Sequence, residues 1–314
     1  MTRQLLIVTT GEFQLQQRHI AQIRAAAPGF EVVTKSYRDV TPEDVAAAEV
    51  IFGWPRPEWV AAARNVRWVQ LCSAGADGWI DIRPGDLLLT KASGTFGVPI
   101  AEWVMGAILM LTRNLHLYRD QQRERVWKQH WNAREIMGST VGILGLGDIG
   151  REVARRAKAF GCRVVGFRRR NLPVEYVDAL LPLDEVLAEA DFLVMALPAT
   201  KETYHLMNAE RLARMKQGAY LINVGRGSTV DEAALVEALR SGHLAGAALD
   251  VTEQEPLPPE SPLWGMEQVI LSPHASGFSP ERNADRRTEL FCENLRRYLA
   301  GEPLLNLVDR EAGY

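Results

Sequence analysis

A chain of 314 residues with 47% hydrophobic and 24% charged side chains has an ordinary globular composition, which excludes disordered, collagen-like and low-complexity architectures. Its length favours about two domains over one. Lys+Arg 36 against Asp+Glu 39 gives a net charge of −3, without the basic excess that phosphate-backbone binding needs, so no nucleic-acid partner is expected.

The apolar stretch from Trp103 to Leu111 falls far short of the roughly 20 residues that span a bilayer, and the N-terminal MTRQLLIVTT reads as a first strand rather than a signal. Cys72, Cys162 and Cys292 are scattered and form no CxxC pair, which argues against disulfides and zinc and for a reducing cytoplasm.

LLIVTT (5–10), FEVVTK (30–35), EVIFGW (49–54) and RWVQLC (67–72) read as strands separated by helical patterns. One helix start is explicit at Thr41-Pro42-Glu43-Asp44: a capping hydroxyl, a proline at the first helical position and acids at the positive helix end. From about Pro99 to Arg125 the pattern predicts one long helix, apolar nearly all round in its first half. Such a helix must be buried on more than one side, either as a core helix between two domains or as one that also carries a subunit interface, and a homodimer is expected.

A second alternating series follows: TVGILGLG (140–147), CRVVGF (162–167), DFLVMALP (191–198), AYLINVG (219–225), LAGAALDV (244–251) and QVILSP (268–273), with helices between. Alternation of strand and helix implies parallel sheets covered by helices, an α/β fold with two doubly wound parts. The chain turns helical and charged after Ser279.

Gly145-Leu146-Gly147-Asp148-Ile149-Gly150 is G-x-G-x-x-G, following an apolar strand and opening a helix. Glycines allow the tight turn, the approach of backbone to a pyrophosphate and close helix–strand packing, with phosphates on the helix N-terminus. In that context the motif predicts dinucleotide binding. About twenty residues on, where an acid would accept the ribose hydroxyls of NAD, the sequence is Gly166-Phe167-Arg168-Arg169-Arg170. Such a cluster either pairs with a 2′-phosphate or is a solvated basic turn.

Arg226, Glu255 and His274 each lie at or just past a strand end of the second series, on the carboxyl edge that carries the glycine loop. Reduction of a 2-oxo acid needs a cation for carboxylate and carbonyl and a proton donor for the developing alkoxide. A histidine beside a carboxylate suits the second task. Singly, each residue has a structural or solvated alternative; together they form a candidate catalytic set.

GLGDIG (145–150), INVGRGSTVDEAAL (222–235), AGAALDVTEQEPLP (245–258) and ILSPHASG (270–277) resemble the D-isomer-specific 2-hydroxyacid dehydrogenases. The resemblance places that family's catalytic Arg, Glu and His on Arg226, Glu255 and His274. It implies a Rossmann nucleotide domain, 98–286, inserted into a flavodoxin-like substrate domain, 1–97 and 287–314. It also implies substrate-carboxylate binding on Ala74, Gly75 and Ala76 of the loop after RWVQLC, where small residues let backbone face an anion.

Asp250 is similar to the residue that holds the nicotinamide amide, and Pro198 to the wall of the adenosine cleft. Thr203, Val224 and Ser276 complete the expected cofactor contacts, while Trp54, with Phe52 and Phe278, is expected to shape the substrate pocket. The arginine cluster departs from the family's usual NAD pattern, so NADP(H) is expected ahead of NAD(H). The expected reaction is reduction of a small 2-oxo acid to the D-2-hydroxy acid. Two relatives of the family stay open as alternatives: a formate- or phosphonate-type dehydrogenase, and a nucleotide-sensing corepressor that depends on partner-binding surfaces.

Overall fold

The structure, a computed structural model, describes residues 3–169 and 172–313. Two compact units divide the chain: Met1–Phe96 with Phe278–Tyr314, and Gly97–Gly277. In chain order the first unit opens with β1 (Arg3–Thr9), α1 (Gln17–Ala26), β2 (Phe30–Ser36), α2 (Pro42–Ala47), β3 (Val50–Gly53), α3 (Pro57–Ala62), β4 (Trp68–Leu71) and β5 (Leu88–Thr90). These strands form one parallel sheet in the order β2-β1-β3-β4-β5, the flavodoxin-like order. The cap at α2 is reciprocal: Thr41 Oγ1 accepts from Asp44 N–H at 3.2 Å, and Asp44 Oδ2 accepts from Thr41 N–H at 3.0 Å.

The second unit continues with α4 (Gly97–Thr112), α5 (Leu115–Glu124), β6 (Thr140–Leu144), α6 (Asp148–Ala159), β7 (Arg163–Phe167), β8 (Ala179–Leu180), α7 (Leu183–Glu189), β9 (Phe192–Met195), α8 (Ala209–Arg214), β10 (Ala219–Asn223), α9 (Glu232–Arg240), β11 (Leu244–Leu249) and β12 (Val269–Leu271). Its seven strands run parallel in the order β12-β11-β10-β9-β6-β7-β8. Strands β6, β9 and β10 are buried along their whole length, as both-face coverage by helices requires. Connections leave β6 and β9 in opposite directions along the sheet. The crevice at that switch point is where such folds bind nucleotides. This is the Rossmann arrangement.

The last helix, α10 (Pro280–Ala300), returns to the first unit, where Phe291 stacks on Phe52 with centroids 4.2 Å apart. The boundary expected at 286/287 falls inside this helix, and the unit takes the helix whole from Phe278.

The single helix expected over 99–125 is two. Asn114 adopts a left-handed φ of 56° and its side chain donates to Asn132 Oδ1 at 2.9 Å, which ends the ladder after Thr112. Met105, Ile108 and Leu111 are buried by the chain itself, α4 packing against α6, so they are not available to a partner. Exposed apolar side chains come later, at Leu115, Val126, Trp127, Trp131 and Met137. Among the described residues no helix is long and apolar enough to cross a membrane, and no cluster of His, Cys, Asp or Glu could hold a metal ion.

Candidate active site

The glycine loop joins β6 to α6, and its three glycines answer three different demands. Gly145 has φ 94°, and a Cβ there would stand 2.6 Å from Ala196 O. A Cβ on Gly150 would stand 2.1 Å from Gly145 O, so this glycine lets helix and strand close up. Gly147, the N-cap of α6, meets nothing within 4 Å. No atom of the chain requires a glycine at 147, which fits a position kept bare for a ligand's phosphates at the helix N-terminus. That is the observation by which a dinucleotide fits here.

Asp148 turns its carboxylate the other way, accepting from Gly97 N–H at 2.8 Å and pinning the start of α4. Ile149, next on α6, is half-buried. Gly145 N–H donates to Phe167 O at 3.0 Å, which sets the end of β7, and with it Arg168 and Arg169, beside the loop. Arg169 lies 3.8 Å from Glu202 in an exposed ion pair. Arg170 lies outside the described residues. Thr203 Oγ1 donates to Pro198 O at 2.7 Å and closes the turn after β9. Val224, buried, donates its N–H to Met195 O at 3.0 Å.

Arg226, Glu255 and His274 all sit at the carboxyl edge of this sheet, after β10, β11 and β12. His274 Nδ1 lies 2.9 Å from Glu255 Oε2. A carboxylate only accepts, so Nδ1 carries the shared proton and Nε2 is the nitrogen able to exchange one. Glu255 Oε1 accepts from Thr252 N–H at 3.3 Å. The Arg226 turn is held through its carbonyl, which accepts from Asn223 Nδ2 at 3.0 Å and Thr229 Oγ1 at 2.6 Å, while its guanidinium donates to Gly225 O at 2.8 Å.

Asp250 does more than the sequence suggested. Buried to 2% exposure, its carboxylate accepts from Ser272 Oγ, Ser276 Oγ, Ala275 N–H at 2.8 Å and Ser276 N–H at 3.0 Å. Its carbonyl accepts from His274 N–H at 2.8 Å, and His274 takes φ 51°. The loop that carries the histidine is therefore wrapped around one carboxylate. Ser276 serves that wrapping. Sequence reading also passed over Asn223, Glu202 and a second histidine–carboxylate contact, His205 Nε2 to Glu253 Oε1 at 2.6 Å. Their only signal was proximity in space, which spacing along the chain does not reveal.

In the first unit, the loop after β4 is tied by Ser73 Oγ to Gly75 O at 2.6 Å and by Ala92 N–H to Ser73 O at 2.7 Å. Ala74 and Gly75 are half-buried and Ala76 is buried. Trp54 packs edge-on against Trp79 with centroids 6.1 Å apart.

A Rossmann sheet whose carboxyl edge carries both a glycine loop and a histidine–glutamate pair defines a nucleotide-dependent oxidoreductase. The family model for the NAD binding domain of D-isomer specific 2-hydroxyacid dehydrogenases matches residues 105–276. A glyoxylate reductase of Korarchaeum cryptofilum is 38% identical over 261 residues, covering 80% of this chain and 78% of that protein. The structure of a D-isomer specific 2-hydroxyacid dehydrogenase from Xanthobacter autotrophicus, in complex with NADPH and MES, superposes with a TM-score of 0.84 at 36% identity, over 99% of each chain. That of an NADPH-dependent glyoxylate/hydroxypyruvate reductase from Sinorhizobium meliloti, in complex with NADP and sulfate, gives 0.84 at 30% identity, over 99% of this chain and 100% of that one. The chain belongs to the D-isomer specific 2-hydroxyacid dehydrogenase family. It is an NAD(P)-dependent oxidoreductase.

Proposed function

We propose that the protein reduces a small 2-oxo acid, of the glyoxylate or hydroxypyruvate class, to the D-2-hydroxy acid, with NADPH preferred over NADH. The observation that carries this reading is the 2.9 Å contact of His274 Nδ1 with Glu255 Oε2 on the edge that bears the bare Gly147. The relatives named glyoxylate reductase and the neighbours with bound NADPH or NADP support the substrate class and the cofactor.

The amides of the glycine loop and of α6, with Arg168 and Arg169 for the ribose end, would hold the dinucleotide, which would supply a hydride when bound. Arg226 holds the substrate's carboxylate and carbonyl through its planar fork. His274, protonated on both nitrogens, gives its Nε2 proton to the carbonyl oxygen as that oxygen becomes an alkoxide. Glu255 favours the imidazolium beforehand and fixes the ring. The backbone of Ala74, Gly75 and Ala76 is the proposed anion-binding element of the first unit, and Trp54 a determinant of substrate size. We also place Asp250, Pro198, Thr203, Val224 and Ser276 at the cofactor, Asp250 and Ser276 acting through the loop they fold.

An assay at the nicotinamide absorbance band tests this with glyoxylate, hydroxypyruvate, pyruvate and longer 2-oxo acids. His274→Gln is expected to lose roughly 10²–10⁴-fold in kcat, the usual share of general acid–base catalysis, with NADPH still bound. Near-normal turnover in that variant refutes the assignment.

A further inference from the structure

Glu255 sits on a turn outside any helix or strand, and its side chain is 41% exposed. A catalytic carboxylate on such a turn needs an external hold, and three contacts supply one. Thr252 presses on Gly227 so closely that a Cβ on Gly227 would lie 1.8 Å from Thr252 O. Glu253 N–H donates to Glu232 Oε2 at 3.2 Å. Glu253 Oε1 lies 2.6 Å from His205 Nε2.

His205 is itself fixed on every side. Its N–H donates to Ser228 O at 2.8 Å, its backbone takes a left-handed φ of 45°, and Tyr204 stacks on its ring at 4.1 Å with planes 11° apart. His205 thereby ties the 252–255 turn to the 226–228 turn, beside the direct packing of Thr252 on Gly227. We propose that His205 and Glu253 are positioning residues that hold Glu255 against His274 and in register with Arg226. This inference rests on the reading of His274 and Glu255 as the acid–base pair.

The polar groups around the pair explain why an apolar filler would not do the same work. Glu253 faces His205 on one side and Glu232 on the other, with Tyr204 stacked over the ring and Glu255 two residues along. Burial, and next to it the negative charge of Glu253, pushes the Glu232 carboxyl above its ordinary range. Without His205, Glu253 keeps its acidic neighbour Glu232 and loses the donor that holds its Oε1. The turn is then released, and Glu255 moves off His274. The imidazolium loses its carboxylate, so the pH above which reduction fails comes down.

The test is the pH profile of kcat/KM for glyoxylate reduction. Glu255→Gln is expected to move the alkaline limb to lower pH. His205→Leu and Glu253→Ala are expected to move it the same way, with kcat lowered about tenfold, a part of the roughly 10²–10⁴-fold that acid–base catalysis supplies. KM for NADPH stays unchanged. The double variant His205→Leu/Glu255→Gln shows no further shift, because both act through one contact. His205→Gln, whose amide donates in the place of Nε2, keeps the wild-type limb. Should leucine at 205 fail to fold, Glu253→Gln removes the charge without changing the shape and is expected to shift the limb. A shift in Glu255→Gln with a wild-type limb in both His205→Leu and the Glu253 variants overturns the positioning role alone. No shift in Glu255→Gln brings down the acid–base reading and this inference with it.

Discussion

Gly227 and Thr252 touch backbone to backbone: a Cβ on Gly227 would fall 1.8 Å from Thr252 O and 2.6 Å from Glu253 N. The turn that carries Arg226 and the turn that carries Glu255 are thus packed with no room for a methyl group. Gly227→Ala forces them apart, since the atoms it meets are backbone and not the loose end of a side chain. The expected result is a stability loss of about 1–3 kcal/mol, typical of overpacking, together with loss of most activity. Urea melts and steady-state kinetics on the same preparation check it; a stable and active variant would mean the turns can slide.

Gly147→Ala is the opposite case. Gly147 has φ −78°, which alanine adopts without strain, and nothing lies within 4 Å of the added carbon. Folding is expected to be unaffected, while NADPH affinity is expected to fall, because the methyl occupies the position proposed for the phosphates. Fluorescence titration with NADPH beside a thermal melt separates the two effects. Unchanged affinity would place the pyrophosphate elsewhere.

How much of this was legible in the sequence follows the distance over which each signal acts. Strands such as 140–144 and 219–223 and the glycine loop announce themselves within ten residues, and the structure has them. The edge strands β5 and β8 were missed, being only three and two residues long. The break at Asn114 was missed because its cause is a side-chain contact with Asn132. At the site, apart from the pairing of His274 with Glu255, residue types were readable and their partners were not. Asp148 meets Gly97, Asp250 meets Ser276, and His205 meets Glu253, contacts 51, 26 and 48 residues apart along the chain.

Glu232 gives a pH test of the same region. Its carboxyl is raised above the ordinary carboxylate range, first by burial and then by the negative charge of Glu253. A carboxyl whose folded-state pKa is raised contributes stability that is full below the unfolded value and is lost as pH rises through the folded one. Wild type should therefore lose stability over that rise, and Glu232→Gln should lose less. The slope is the readout rather than the level, because glutamine also forgoes a charge at the start of α9. Denaturant midpoints from about pH 4.5 to 7.5 decide it; parallel curves for the two proteins would discard the argument.

We propose a homodimer formed through the second unit, with the segment after α5 as its contact. Trp127 is 100% exposed and Trp131 88%, a quantity of aromatic surface that in soluble proteins marks an interface. Static light scattering at micromolar concentration is expected to give about twice the chain mass of 35.0 kDa. Trp127→Ser/Trp131→Ser should shift that mass toward the monomer. A monomeric wild type would rule the dimer out.

Cofactor preference is the remaining prediction, and it turns on what β7 ends with. Gly166, Phe167, Arg168 and Arg169 include no carboxylate to accept ribose hydroxyls, so the contact that ordinarily selects NAD is missing there. The same lack removes repulsion toward a 2′-phosphate, which favours NADP before any attraction is counted. Attraction then comes from the arginines. Arg169 stands 3.8 Å from Glu202, but both side chains are mostly exposed, and such pairs hold weakly, so a doubly charged phosphate can displace the carboxylate. A charge-assisted contact contributes about 1.5–3 kcal/mol, or roughly ten- to a hundredfold in selectivity. NADPH is therefore expected to be preferred by that factor, with the preference shrinking as salt screens an exposed pair. Arg168→Asp should move the ratio toward NADH, by restoring an acceptor for the hydroxyls and by repelling the phosphate. Specificity constants for both cofactors, measured at low and high salt on wild type and variant, test every part of this. Equal constants in the wild type would reduce the arginines to a solvated turn.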